Sequence, residues 1–518
     1  MTDHEVQVVL GMQHSEKRQW RPYLLVVMMS ISLGAMSFGY SSGVIGATVA
    51  QPSFVEYFEL ATRSNTTSLI SAMNSLFFAG AAIFILTVPF FADKWGRKAA
   101  VGVSAAIIII AGAVLAGSVH VAQFIVFRFV SGAGTYMMIS SVTLWMTEIA
   151  PPSIRGILVG LVGASLLFGY ASSIWVGYGF YFFESSNAWR IPFVFQGFPS
   201  LLLLALLYWL PESPRWLMLQ GHHDQARDNL LRLHTPEEVE VEFLQIRTQV
   251  DIDKTLPSSY WAMFTNRNYR KRTLIVSIPK YLYTIASFLT DRLLITDYGP
   301  MIYGALGFGV ETQLIYAAAW LTLGWGGGCL ALFVVDKIPR PKFIGYGLLA
   351  CQACLIIEAA LVANFAGSDN KTALRACVAM LFLFVFIYEF ALDSAQFVYL
   401  GELFPTHIRA KGVSLGCGTL ALMNVIWLSA APTAFDSIGW KFYLCFIIPG
   451  CFCAAMILYY FPDTLGLPLE EINAIFEDDY RESIVGIEKG NAKGSFSEKG
   501  PKEVGSTYHY HGNVLEMF

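Results

Sequence analysis

Apolar residues run along this chain in stretches of about 20, divided by short polar turns, rather than recurring at every second or every third to fourth position. A stretch of that length crosses the roughly 30 Å hydrocarbon core of a bilayer as a helix, because only a helix satisfies its own backbone groups in lipid. The runs are too long and too uniformly apolar for barrel strands. Candidate spans cover residues 23–47, 69–91, 99–119, 122–147, 156–180, 191–210, 273–303, 314–335, 343–366, 373–400, 412–432 and 442–461. The seventh departs from the others. It carries Lys280, Asp291, Arg292 and Asp297 with Pro279 and Pro300, which predicts a broken helix lining a cavity. Between 211 and 272 charges cluster, and His223–His234 and Pro236–Asp251 read as amphipathic helices of a soluble linker. Beyond residue 475 the chain is rich in Gly, Ser and Lys and is expected to be largely disordered. The expected architecture is all-α and membrane-embedded: twelve transmembrane helices in two pseudo-symmetric six-helix bundles. Its parts are a tail 1–22, a bundle 23–210, the linker 211–272, a bundle 273–461 and a tail 462–518.

The pseudo-symmetry is written in three motifs that occur twice, about 250 residues apart. Asp93-Lys94-Trp95-Gly96-Arg97 is echoed by Asp336-Lys337-Ile338-Pro339-Arg340. Glu148-Ile149-Ala150-Pro151 with Arg155 is echoed by Glu402-Leu403-Phe404-Pro405 with Arg409, and Pro211-Glu212 by Pro462-Asp463. Each pair falls at the same point of a six-helix block, the signature of a parallel duplication about an axis along the membrane normal. Acids and bases at fixed spacing at one end of each block predict a gate. Asp93, Arg97, Glu148, Arg155, Asp336, Arg340, Glu402 and Arg409 are expected to pair across the halves. The expectation is that these pairs are partly wet and worth about 1 kcal/mol or less each.

The short loops that carry those motifs hold most of the Lys and Arg, which makes that end, both termini and the linker cytoplasmic. Residues 1–21 are polar and mixed in charge, so the first span is expected to act as an uncleaved signal. The sequons at Asn65 and Asn370 then face outward as candidate glycosylation sites close to the membrane. The plasma membrane is the expected location.

Composition agrees. The chain has 518 residues, 55% hydrophobic and only 14% charged, against about a quarter charged in soluble proteins. A net charge of −4 suggests no nucleic-acid partner. The eight cysteines all lie in the second half, in or beside apolar segments, and read as buried free thiols. No cofactor or metal is implied, and no phosphate-binding loop or nucleophile elbow suggests an enzyme.

The quoted motifs, with Phe38-Gly39-Tyr40, Arg128-x-x-x-Gly132-x-Gly134, Arg155-Gly156, Pro211-Glu212-Ser213-Pro214-Arg215 and Gly401-Glu402-Leu403-Phe404-Pro405, resemble the sugar porter family of the major facilitator superfamily. The resemblance covers residues from about 20 to 475, and the second-half motifs have a fungal cast. It implies the major facilitator fold and alternating access around a central site. The lipid bilayer, a small solute and, as an open alternative, protons are the implied partners. By position in the family's pocket-lining spans, Ser287, Thr290, Asp291, Gln396, Phe397 and Asn424 are the expected substrate-binding residues. The departures bear on the solute. Ser41 stands where proton-coupled sugar porters carry Asp, Gly163 and Gly324 stand where amides are usual, and Phe397 replaces Trp; Asn424 is kept.

What replaces that polar shell is ionisable. Asp291 and Arg292 of the seventh span and Glu389 and Asp393 of the tenth sit at membrane depth, where charges mark a pathway or relay. Asp291 or Asp393 is the expected proton carrier, with Arg292 neutralising Glu389 or Asp393 and Arg128 available to attract an anionic solute. Three functions follow. The first is a secondary active or facilitative transporter of a sugar or sugar-like solute. The second moves a non-sugar metabolite, such as an organic acid or secondary product, on the same scaffold. The third is a non-transporting nutrient sensor.

Overall fold

The computed structural model describes residues 20–254, 256, 258–266, 269–270, 273, 309–365, 371–467 and 469. The first half contains α1 (Pro22–Val49), α2 (Pro52–Tyr57), α3 (Thr66–Phe84), α4 (Val88–Trp95), α5 (Arg97–Ala116), α6 (Val121–Ile149), α7 (Arg155–Tyr181), α8 (Arg190–Gln196) and α9 (Phe198–Leu206). The linker contributes α10 (Pro214–Leu219), α11 (His223–Leu233), α12 (Pro236–Asp253) and α13 (Tyr260–Thr265). The second half contains α14 (Val310–Ala331), α15 (Arg340–Phe365), α16 (Lys371–Tyr388), α17 (Ser394–Glu402), α18 (Thr406–Ile438) and α19 (Leu444–Tyr460). Among the described residues nine helices are long and apolar enough to cross a membrane. The sixth predicted span is met by the shorter apolar stretch Arg190–Leu206, and the eleventh by α18. The seventh, 273–303, lies outside the described residues apart from Thr273.

Proline placement starts several helices. Pro22, Pro52, Pro199 and Pro214 sit in first turns, where the missing N–H costs nothing. Within the first half, helices meet backbone to backbone through glycine. A Cβ on Gly39 would lie 1.9 Å from the Leu166 carbonyl oxygen, and one on Gly132 would lie 1.8 Å from that of Phe77. This close approach lets van der Waals contact hold helices where lipid offers no hydrophobic drive.

The two halves meet along α3, α6 and α7 on one side and α14, α17 and α18 on the other. The linker helices α10, α11 and α12 form a small core of their own around Leu217, Met218, Leu230, Val239, Ile246 and Val250. The amphipathic helices predicted at 223–234 and 236–251 therefore fold together at one end of the bundle. There α11 touches α1 in the first half, and α12 touches α18 in the second.

Candidate functional site

At the end of the molecule that carries the linker, the duplicated motifs build a crossed network. Gly96 turns the chain at φ +96° between α4 and α5, and a Cβ there would lie 2.4 Å from a Glu212 carboxylate oxygen. The turn aims the Arg97 and Lys98 N–H groups at that carboxylate, at 3.1 and 3.2 Å. It also sends the Arg97 side chain inward, where it donates two bonds of 2.8 Å to Glu148, a bidentate pair. The Ser213 hydroxyl donates to the same carboxylate. The second half repeats this with different residues. Arg340 lies 3.8 Å from Glu402, Thr464 donates to Glu402 at 2.7 Å, and Asp463 accepts from the Arg340 N–H at 3.0 Å.

Each glutamate also receives an arginine from the other half. Arg409 stands 3.8 Å from Glu148, and Arg155 stands 3.9 Å from Glu402. Asp336 accepts from the Ile157 N–H of the opposite half at 2.9 Å, and Lys411 reaches Asp93 at 3.3 Å. All eight predicted gate residues therefore converge. The expectation that these pairs are wet is corrected. Arg97, Glu148, Arg155, Arg340, Glu402 and Arg409 are each 3% exposed or less. Only Asp93, 42% exposed, fits a surface pair. Helix ends from both halves and the linker close over the charges, a covering that no single motif discloses.

At mid-depth a second set of contacts crosses the halves. Asn424 donates to the Tyr136 hydroxyl at 3.3 Å, with both residues buried, and the Ser140 and Ser414 hydroxyls lie 3.0 Å apart. The Tyr136 ring meets Phe38 edge-on at 5.0 Å and Phe78 at 6.0 Å, and Phe38 meets Tyr170 at 6.4 Å. Asn424 Oδ1, both amide atoms of Asn74 and Ser41 Oγ are buried with no hydrogen-bond partner among the described residues. Buried polar atoms normally find partners, so this group of unpaired atoms is unusual. Towards the end away from the linker, Trp175 donates to Thr322 at 3.0 Å across the halves. Sequence reasoning did not single out Tyr136 or Asn74. The available signal was a tyrosine directly after the small-residue run Ser131–Thr135.

Arg128 has partners within the protein. It is buried, donates to the carbonyl oxygens of Met73 and Ser41 at 3.3 Å each, and lies 4.3 Å from the Phe77 ring centre. It is thus held by protein groups as well as by its position on the seam-bearing helix α6. Glu389 and Asp393 are both buried and bound a π-helical turn, Glu389–Asp393, between α16 and α17. Such turns re-aim side chains and recur at functional sites. Glu389 packs against Gly324, and Gln396 donates to Asp393 at 2.5 Å. Phe397, on α17, is buried. Ser287, Thr290, Asp291 and Arg292, with the sequon Asn370, lie outside the described residues. Asn65 is exposed, directly before α3. The eight cysteines are free thiols.

Two bundles joined by crossed ion pairs at one end and sharing a buried polar seam at mid-depth define a multi-pass membrane transporter. The family model for "Sugar (and other) transporter" matches residues 27–476, and the chain belongs to that family. Among curated relatives, the MFS-type transporter criB of Aspergillus cristatus is 30% identical, over 85% of this chain and 90% of its own length. The high-affinity glucose transporter of Kluyveromyces lactis is 26% identical over 88% and 85%. Among solved structures, the proton:xylose symporter XylE bound to 6-bromo-6-deoxy-D-glucose superposes with a TM-score of 0.78 at 21% identity, covering 88% of this chain and 99% of that one.

Proposed function

We propose that this chain carries a small hydroxylated solute, a sugar or sugar-like metabolite, across the plasma membrane by alternating access. The linker end is cytoplasmic and is closed in this structure. The carrying observation is the pairing of a buried cross-half seam, Tyr136 with Asn424, with crossed ion pairs that, among the described residues, lie at the linker end of the two bundles. Opening that end requires the Glu148–Arg409 and Glu402–Arg155 contacts to part, which exposes the seam to the inside. The glucose-transporting relative supports a sugar. A non-sugar metabolite is the second reading, carried by Gly163 and Gly324 where the resemblance implies amides.

The test is uptake and efflux of a labelled panel of hexoses, polyols and organic acids in vesicles, with and without an imposed pH gradient. Movement of no solute leaves the nutrient-sensor reading instead. For the solute that moves, Asn424→Ala is expected to raise KM about tenfold at unchanged surface expression, since it removes one buried partner for a hydroxyl. An unaltered KM places the solute elsewhere. Of the two candidate proton carriers, Asp291 and Asp393, Asp393 is the one in the π-turn. Asp393→Asn is expected to abolish gradient-driven accumulation while sparing exchange of solute for solute. Accumulation that persists rules Asp393 out of coupling.

A further inference from the structure

The linker touches both sides of one cross-half ion pair. His234, directly after α11, is buried between two hydrogen-bond acceptors. Its Nδ1 lies 2.5 Å from the Glu242 carboxylate and its Nε2 lies 3.0 Å from the carbonyl oxygen of Ile149. A neutral imidazole has a single N–H and can serve one of these acceptors; only the imidazolium donates to both. Ile149 follows Glu148, the acid that Arg97 and Arg409 share. At the far end of α12, Asp253 lies 3.1 Å from Nδ1 of His407, whose Nε2 is 2.9 Å from the Tyr269 hydroxyl. His407 stands two residues before Arg409. This linker helix of 18 residues thus holds, through Glu242 and Asp253, two histidines that adjoin the Glu148–Arg409 pair: His234 against Ile149, and His407 two residues before Arg409.

We propose that His234 is a positioning residue for transport: as an imidazolium it seats the linker on the inner end of α6, and its protonation holds the cytoplasmic end closed. The inference rests on reading that end as the gate. A group shifts a conformational equilibrium only through contacts that differ between the two states. The seat meets this condition, because parting Glu148 from Arg409 forces α12 to give up one of its two attachments. The charged groups around His234 come from three elements. Glu242 and Glu238 belong to α12; Arg215 of α10 lies 3.9 Å from Glu242; α6 contributes Glu148, already bound by Arg97. Burial works against the charged ring, but the charge and hydrogen bond of Glu242 outweigh it, so His234 holds its proton above the ordinary histidine range. The sign follows. A raised pKa in the seated form gives stabilisation that is complete below about pH 6.5 and is lost as pH climbs through the raised value. Alkaline cytoplasm therefore favours the inward-open form. The pH response is assigned to His234.

The test uses the full chain in lipid nanodiscs, its native cysteines replaced, with spin labels at Lys94→Cys and Lys337→Cys, exposed positions at the gate end of the two halves. Pulsed dipolar spectroscopy reads the distance from pH 6 to 9. The closed-to-open ratio is expected to fall about tenfold across that range, the scale of one charge-assisted hydrogen bond. His234→Gln, which keeps an N–H donor for Ile149 but no titration, is expected to be independent of pH at the alkaline level. Glu242→Gln is expected to move the transition to lower pH. A His234→Gln protein with the parent's pH response overturns the proposal. The gate reading fails separately: Glu148→Gln and Arg409→Gln would then leave the distance distribution unchanged at every pH.

Discussion

Glu148→Gln is expected to shift the transporter strongly towards the inward-open form and to lower its stability in detergent. The substitution is nearly isosteric, yet it leaves the Arg97 and Arg409 guanidinium groups facing a neutral amide with almost no water near them. Removing one partner of a buried ion pair costs roughly 3–5 kcal/mol, because the remaining charge stays desolvated. The partly wet pairs expected from the motifs would have cost about 1 kcal/mol or less. Burial therefore changes the predicted phenotype from mild to severe. At 3 kcal/mol the closed-to-open ratio falls more than a hundredfold. The measurements are the melting midpoint of purified protein and the reactivity of an inner-face cysteine with an impermeant maleimide. Combining Glu148→Leu with Arg97→Met and Arg409→Met is expected to recover much of the melting midpoint, since apolar groups of similar volume replace buried charges well. It is not expected to recover transport, because the switchable contact is gone. A Glu148→Gln protein that melts and labels like the parent would remove the gate.

Gly39→Ala is expected to be more damaging than many larger changes elsewhere. Its added methyl would lie 1.9 Å from the Leu166 carbonyl oxygen, and the reciprocal Gly169 faces the Met36 carbonyl oxygen at 2.1 Å. Gly80 and Gly132 form a second such crossing, at 2.0 Å from Phe129 and 1.8 Å from Phe77 carbonyl oxygens. In each case the obstacle is backbone, which cannot rotate away as a side chain would. The α1–α7 or α3–α6 crossing must widen by more than an ångström, at a cost of about 3 kcal/mol or more. Widening α3–α6 also displaces Phe77 and Phe78, which hold Arg128 and Tyr136. Monodisperse yield is expected to collapse for Gly39→Ala and Gly132→Ala, whereas Gly179→Ala, with nothing within 4 Å, is expected to behave as the parent. Equal yields for the three variants would show that the crossings are looser than the structure has them.

Much was legible in advance because a bilayer imposes a length. Any helix that crosses it needs about 20 apolar residues, so hydropathy alone located the spans that match α1, α6 and α15. The duplicated acid–base motifs located the crossed ion-pair network, and amphipathic periodicity located α11 and α12 to within two residues. Where the reading fell short, the missing information was three-dimensional. Arg128 was read without its partners because Ser41 stands where the family carries an acid; the backbone of that same residue, with Met73, takes two of its hydrogen bonds. Tyr136 passed unnoticed because its hydroxyl meets Asn424, which comes from the other half.

By itself the sequence determined what each segment is: which stretches enter lipid, which end carries basic charge, which residues recur in register, and to which family the chain belongs. Those properties depend on composition and spacing along one strand of chain. Only the tertiary structure decided which charges are dry, which arginine crosses to which glutamate, and that His234 meets two acceptors at once. Solvation and partnership are set by atoms brought in from remote parts of the chain, and no local window of residues contains them.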